Sequence, residues 1–233
     1  MLELHSWPTP NGQKVQILLE ELGVPYRAVP VNILRGEQFD PAFLAFSPNG
    51  KIPAIIDPEG AGPGQPVTVF ETGAILLYLA EKFGRFIPAE VAARAEALEW
   101  LFFQCSNLGP MLGQATHFRR YAGEPVPYAV DRYTTEATRL YGVLERRLAG
   151  REWIAAGEYG IADMASFPWI CRFRRQGQDI DAFPNVKAWL ARVSARPAVG
   201  RGMDVLKDAA RDTPLDAKAH DTLFKRPAGD AAA

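Results

Sequence analysis

A chain of 233 residues, 48% of them hydrophobic, can bury one large core or two modest ones, which excludes disorder as its main state. With 26 Lys and Arg against 27 Asp and Glu, the formal net charge of -1 offers no global attraction to nucleic acid or an anionic membrane. Two cysteines, Cys105 and Cys171, are too few for a disulfide scaffold and too far apart for a CxxC motif, so a reducing cytoplasm is the expected compartment. Residues 1–5 carry no basic segment leading into an apolar core, and no apolar run approaches ~20 residues, so neither secretion nor membrane spanning is expected. The histidines His5, His117 and His220 are scattered and predict no metal site.

In chain order, Leu2 to Ser6 reads as a strand. Gly12 to Leu22 reads as a helix with Val15, Leu18, Leu19 and Leu22 on one face and Gly23 as its stop. Tyr26 to Val31 is a second strand, close enough to predict a right-handed crossover unit. A short helix is expected over Pro41 to Phe46, then a strand over Lys51 to Asp57 with a proline near its head. The Gly- and Pro-rich run 60–66 followed by Val67 to Phe70 reads as a hairpin, and Glu71 to Phe83 as a helix. Beyond the Gly84 to Glu90 segment only helical periods remain. Leu98, Leu101, Phe102, Cys105 and Leu108 form one stripe; Val130, Tyr133, Ala137, Leu140, Leu144 and Leu148 a second; Val186, Trp189, Leu190 and Val193 a third. The expected organisation is a thioredoxin-like α/β domain (βαβαββα) over 1–83, a linker over 84–90 and an all-α helical bundle over 91–203. A C-terminal extension follows over 204–233, where the pattern weakens and 225–233 reads as a disordered tail.

Three features converge on one peptide ligand, and each also has an ordinary structural reading. Ile52-Pro53 at a strand head can simply terminate pairing; a cis bond, which costs only ~0.5–1 kcal/mol at proline, would instead turn the Ile52 backbone outward to pair with an extended peptide. Glu71-Thr72 can be a helix cap, or helix amides and Thr72 can bind a ligand carboxylate while Glu71 takes the adjacent ammonium, reading a γ-glutamyl group. The loop Trp7-Pro8-Thr9-Pro10-Asn11-Gly12 can be a plain helix start. It also occupies the place where a thioredoxin-like fold carries its sulfur, and offers the Thr9 hydroxyl, the Asn11 amide and helix N–H groups to a thiolate that the ligand brings.

Pro8-Thr9-Pro10-Asn11-Gly12, Ser47-Pro48-Asn49-Gly50-Lys51-Ile52-Pro53-Ala54, the run 70–80 and the run 109–114 together resemble the bacterial Nu-class glutathione transferases over roughly residues 1 to 202. That class includes disulfide-bond oxidoreductases and is more distantly similar to yeast Ure2-type regulators. The resemblance implies that Thr9 and Asn11 contact the glutathione sulfur. It places Gln38 and Lys51 at the glycyl end, Ile52 and Pro53 at the cysteinyl backbone, and Glu71 with Thr72 at the γ-glutamyl end. Arg132 matches a helical-domain residue that reaches the ligand, by this reading across a dimer interface; beside an apolar stripe it can equally be a solvated flank.

The resemblance further implies a homodimer and glutathione as co-substrate, as two reduced molecules or the oxidised dimer, so that the ligand supplies both sulfurs a CxxC motif would supply. Glutathione-dependent reduction of small disulfides, with transferase activity, is the expected function. Conjugation or thioether lysis of small electrophiles and a non-catalytic, glutathione-binding regulator are the alternatives. Cys105 and Cys171 sit among apolar residues and are expected to act as small hydrophobes. One departure from the wider family is Gly160, where a Ser or Thr usually forms a capping box with the Asp at position 163.

Overall fold

The computed structural model describes residues 1–211 and 215–224. Strand β1 (Leu2–Ser6) alternates buried and partly exposed residues and leads into helix α1 (Pro10–Leu22), which stops on Gly23 in the left-handed conformation at φ 69°. Strand β2 (Tyr26–Pro30) returns parallel to β1, with Leu2 opposite Tyr26. After a 3-10 turn (Glu37–Phe39) and the short helix α2 (Pro41–Leu44) come β3 (Ala54–Asp57), β4 (Val67–Phe70) and helix α3 (Thr72–Phe83). Both β3 on β1 and β4 on β3 pair antiparallel, so the sheet order is β2-β1-β3-β4. Pairing of β3 begins at Ala54 rather than Lys51, because Pro53 has no N–H to give a ladder.

The helical part comprises α4 (Val91–Phe103), a π-helical turn (Gln104–Leu108), α5 (Gly109–Arg120), α6 (Pro127–Leu148), α7 (Ile161–Ile170), α8 (Pro184–Ser194) and α9 (Pro197–Asp204). The second and third expected stripes supply Ala137, Leu140, Leu144, Leu148, Val186, Trp189 and Val193 to the core. The first is corrected. Its buried line runs Ala97, Leu101, Gln104 and Leu108, while Phe102 is 63% exposed. A polar residue holds the core position because Gln104 accepts a hydrogen bond from Lys14 at 2.8 Å, a partner that an apolar pattern cannot register.

Helix α1 is buried on all sides from Gly12 to Leu19, between the sheet and helices α7 and α9. Arg196, just before α9, forks onto the Glu21 carboxylate at 2.6 and 2.8 Å, and Arg201 pairs with Glu20. Gly160, before α7, is a glycine for want of space. A Cβ there would lie 2.9 Å from the Phe86 carbonyl oxygen, which already accepts from the Ile161 N–H. Half of the capping box survives, since the Asp163 carboxylate accepts from the Gly160 N–H.

The weakened pattern after Met203 nevertheless contains two further helices, α10 (Lys207–Arg211) and α11 (Ala217–Phe224). The second of them, α11, folds back toward α5. The His220 ring bonds the Tyr121 carbonyl, and Phe224 lies edge-on to His117 at 4.7 Å between centroids. The tail expected over 225–233 lies outside the described residues. Among those described, no helix is long and apolar enough to cross a membrane.

Candidate functional site

Strand register assembles the site. His5 of β1 faces Ala54 of β3, which faces Phe70 of β4, and Ser6 faces Pro30 of β2. The segments beyond that row, residues 7–10, 31–39, 51–53 and 71–72, therefore emerge at one edge of the sheet. There they border a cleft of about 690 Å³ closed on its far side by α5, Trp169 of α7 and Phe224 of α11. That volume suits a ligand of peptide size.

Thr9 caps α1: its Oγ1 accepts from the Gly12 N–H at 3.3 Å, which leaves the hydroxyl proton available to the cleft. The Asn11 side-chain oxygen accepts from the Trp169 indole N–H at 3.1 Å. A Cβ on Gly12 would fall 2.1 Å from the Trp7 carbonyl oxygen, so only glycine lets the helix start this close to β1. The Ile52-Pro53 bond is cis, and the Ser47 hydroxyl donates to the Lys51 carbonyl at 2.9 Å, steadying the segment that carries Lys51 and Ile52.

Glu71 has φ 71°, a conformation that costs a non-glycine residue on the order of 1–3 kcal/mol and recurs at ligand sites. Its side chain makes no capping bond and instead accepts from the Asn49 amide at 3.3 Å. Thr72 Oγ1 accepts from Lys14 at 3.3 Å. Gln38 is 4% exposed; its amide nitrogen donates to the Ile33 carbonyl, and its oxygen has no partner among the described residues.

Eight of the nine expected residues thus line one cleft: Thr9, Asn11, Gln38, Lys51, Ile52, Pro53, Glu71 and Thr72. Arg132 does not. It lies on α6, 55% exposed, with Glu136 at 3.9 Å, away from the cleft of its own chain.

Sequence reasoning missed Lys14, Asn49, Trp169 and Arg172. Lys14 had a signal, since it falls three residues after Asn11 on the same helix face. It is 2% exposed, and burial pushes its ammonium down to about 8. At neutral pH it is still mostly a cation, donating to Thr72 and Gln104 at the edge of the cleft. As the pH rises through about 8 that cation is lost. Binding of S-methylglutathione, whose sulfur cannot ionise, is therefore expected to weaken over this range in calorimetric titrations. Lys14→Met should flatten that part of the pH slope.

Cys105 also borders the cleft, but burial raises its thiol, as it does that of Cys171. Both stay protonated near neutrality, so neither is poised to attack. A second cavity of about 350 Å³ shares Thr9, Trp169 and Phe224 with the first. Arg172, Arg175, His117 and Tyr121 line its other side. Arg172 is fixed there by Gln13, at 2.8 Å.

The family model for the glutathione S-transferase N-terminal domain matches residues 9–82, and that for the C-terminal domain matches residues 114–197. This chain belongs to the glutathione S-transferase family. Its fold is that of the family, an N-terminal α/β domain carrying a helical C-terminal domain. The transferase is 48% identical to the disulfide-bond oxidoreductase YfcG of Escherichia coli over 203 residues, covering 87% of this chain and 94% of that protein. A glutathione transferase family member from Pseudomonas fluorescens, solved with two glutathiones bound, is similar at 50% identity and TM-score 0.82, over 87% of this chain and 92% of the other. A transferase from Pseudomonas putida, with one glutathione disulfide bound per subunit, is similar at 46% identity and TM-score 0.83, over 88% and 91%.

Proposed function

We propose that this transferase reduces small disulfides with two glutathione thiols in place of protein cysteines. The carrying observation is a helix start that brings two hydrogen-bond donors, Thr9 and Asn11, to the wall of a peptide-sized cleft whose own cysteine is held protonated. The first glutathione lies with its γ-glutamyl end on Glu71 and Thr72 and its cysteinyl backbone along Ile52 and Pro53. Gln38 borders the cleft at the glycyl end, while Lys51 and Lys14 supply the cations for its carboxylates. Its sulfur meets Thr9 and Asn11, whose donors favour the thiolate over the thiol.

The thiolate attacks one sulfur of the substrate disulfide. A glutathionyl mixed disulfide forms, the old S–S bond breaks, and the departing sulfur takes a proton. A second glutathione thiolate, placed in the neighbouring cavity where Arg172 and Arg175 can face its carboxylates, attacks the glutathionyl sulfur. Glutathione disulfide forms and the second substrate thiol leaves. Two glutathiones are oxidised for each disulfide reduced.

The similarity to YfcG and to a relative holding two glutathiones supports this reading, as does the joining of the two cavities at Thr9 and Trp169. The test is glutathione-dependent reduction of hydroxyethyl disulfide, followed by glutathione reductase coupling. Tight glutathione binding without a rate above background would refute it.

A second reading, conjugation of electrophiles, is favoured by the aromatic wall of the second cavity, Tyr121 and Phe224, and is ranked by comparing activity on chlorodinitrobenzene. A non-catalytic Ure2-type regulator would bind glutathione and turn nothing over.

Membership of the Nu class, a cytoplasmic location and a homodimer belong to the same proposal. In the dimer Arg132 acts on the partner's cleft, which fits its exposure far from its own. Arg132→Ala is then expected to raise the glutathione KM about tenfold, with the dimer intact by sedimentation.

A further inference from the structure

An asparagine amide can meet a thiolate with either end, and only one end helps. The nitrogen donates to the anion; the oxygen repels it. In this structure the choice is made from the other domain. The Trp169 indole N–H lies 3.1 Å from the Asn11 amide, and an indole nitrogen donates only, so the atom facing it is the amide oxygen. The NH2 is thereby turned away from Trp169, and Asn11 borders the cleft beside Thr9.

The indole is itself held. The Trp169 carbonyl accepts from the Gln176 amide at 2.7 Å, and the ring lies so close to α5 that a Cβ on Gly113 would stand 3.3 Å from its six-membered edge. Gly109 and Gly113 therefore have a job besides helix packing: they leave the space that the indole occupies beside α5.

We propose that Trp169 is a positioning residue, which locks the Asn11 amide with its NH2 toward the glutathione sulfur. The inference rests on the reading that Asn11 meets that sulfur. Without the indole donor the amide is free to rotate and present its oxygen, so the bound thiol holds its proton more tightly. Docking of the helical domain on α1 thus sets the polarity of the thiol site.

Trp169→Phe keeps a ring and removes the donor. The apparent pKa of the bound glutathione thiol, followed by thiolate absorbance and by the pH profile of kcat/KM, is expected to rise by about one unit, tenfold in thiolate fraction at neutral pH. Binding of S-methylglutathione should change less than about twofold, since its sulfur has no proton to lose. In an Asn11→Ala background, Trp169→Phe should have no further effect on the thiol, because the two act as one unit.

An unmoved thiol pKa, or effects that simply add, would overturn the proposal. If Trp169→Phe does not fold, replacing the indole alone by a benzothiophene of the same shape poses the same question. A wild-type protein that fails to lower the thiol pKa on binding would instead defeat the underlying function.

Discussion

Asn11→Ala is expected to lower kcat for glutathione-dependent disulfide reduction by about a hundredfold, roughly 2.7 kcal/mol, the effect of deleting one donor aimed at a developing or reacting anion. Glutathione KM should move only a few-fold, because in the proposed binding mode the peptide's ends are held elsewhere, by Glu71, Thr72, Lys51 and Lys14 around the same cleft. Substitution removes a group that matters to the thiolate and hardly at all to the thiol, so the loss falls on the chemical step. Raising the pH should recover part of the rate, since more of the glutathione is then ionised without help. Steady-state kinetics across pH measure both. Equal losses in binding and turnover would show that Asn11 holds the peptide rather than tuning its sulfur. The side chain borders the cleft and leaves the α1 cap on Thr9 untouched, so the fold is expected to persist.

The largest expected effect on stability is at Asp163, far from the chemistry. Its carboxylate is fully buried and accepts from the Ile154 N–H at 3.0 Å, the Gly160 N–H at 3.1 Å and the Trp189 indole at 2.7 Å. Asp163→Ala would leave three donors facing nothing, and the two buried ones, from Ile154 and Trp189, each carry a desolvation penalty of about 1–3 kcal/mol. A total loss of roughly 3–5 kcal/mol is expected in urea unfolding.

Burial also pushes the Asp163 carboxyl up to about 6, despite the donors that pull it down. The sign follows from a folded value above the unfolded one: this group contributes most to stability below its ordinary value near 3.8. That contribution fades as the pH rises through about 6. Asp163→Asn, which cannot titrate, should lose this pH dependence while keeping part of the hydrogen bonding. Because α7 carries both Asp163 and Trp169, loosening its start should also disturb the Asn11 contact.

Much of the α/β domain was legible along the chain. Its strands and helices are short, locally punctuated by Gly23, Pro53 and Gly84, and patterned by the alternation or period of their own side chains. The site loops were legible for a related reason: each is a contiguous run whose backbone role is local, such as a helix start at Thr9 or a turn into α3 at Glu71. Gln104 shows where this stops. A glutamine in a stripe of leucines reads as a break in pattern, and it is core only because Lys14, 90 residues away, donates to it. The extension after Met203 failed in the same way, since α11 owes its place to contacts with His117 on α5 and Tyr121 just after it rather than to a strong apolar face of its own.

By itself the sequence determined the family, the order of the elements in the first domain and eight residues that border the cleft, because those follow from local pattern and contiguous motif. The tertiary structure alone decided which end of Asn11 meets Trp169, why position 160 is glycine, how Lys14 comes to be a buried cation, and that Arg132 stands apart from its own site. Each of these depends on a group brought from a distant part of the chain. Hydrogen-bond polarity, desolvation and the space left for a Cβ are properties of neighbours, and neighbours exist only once the two domains have docked.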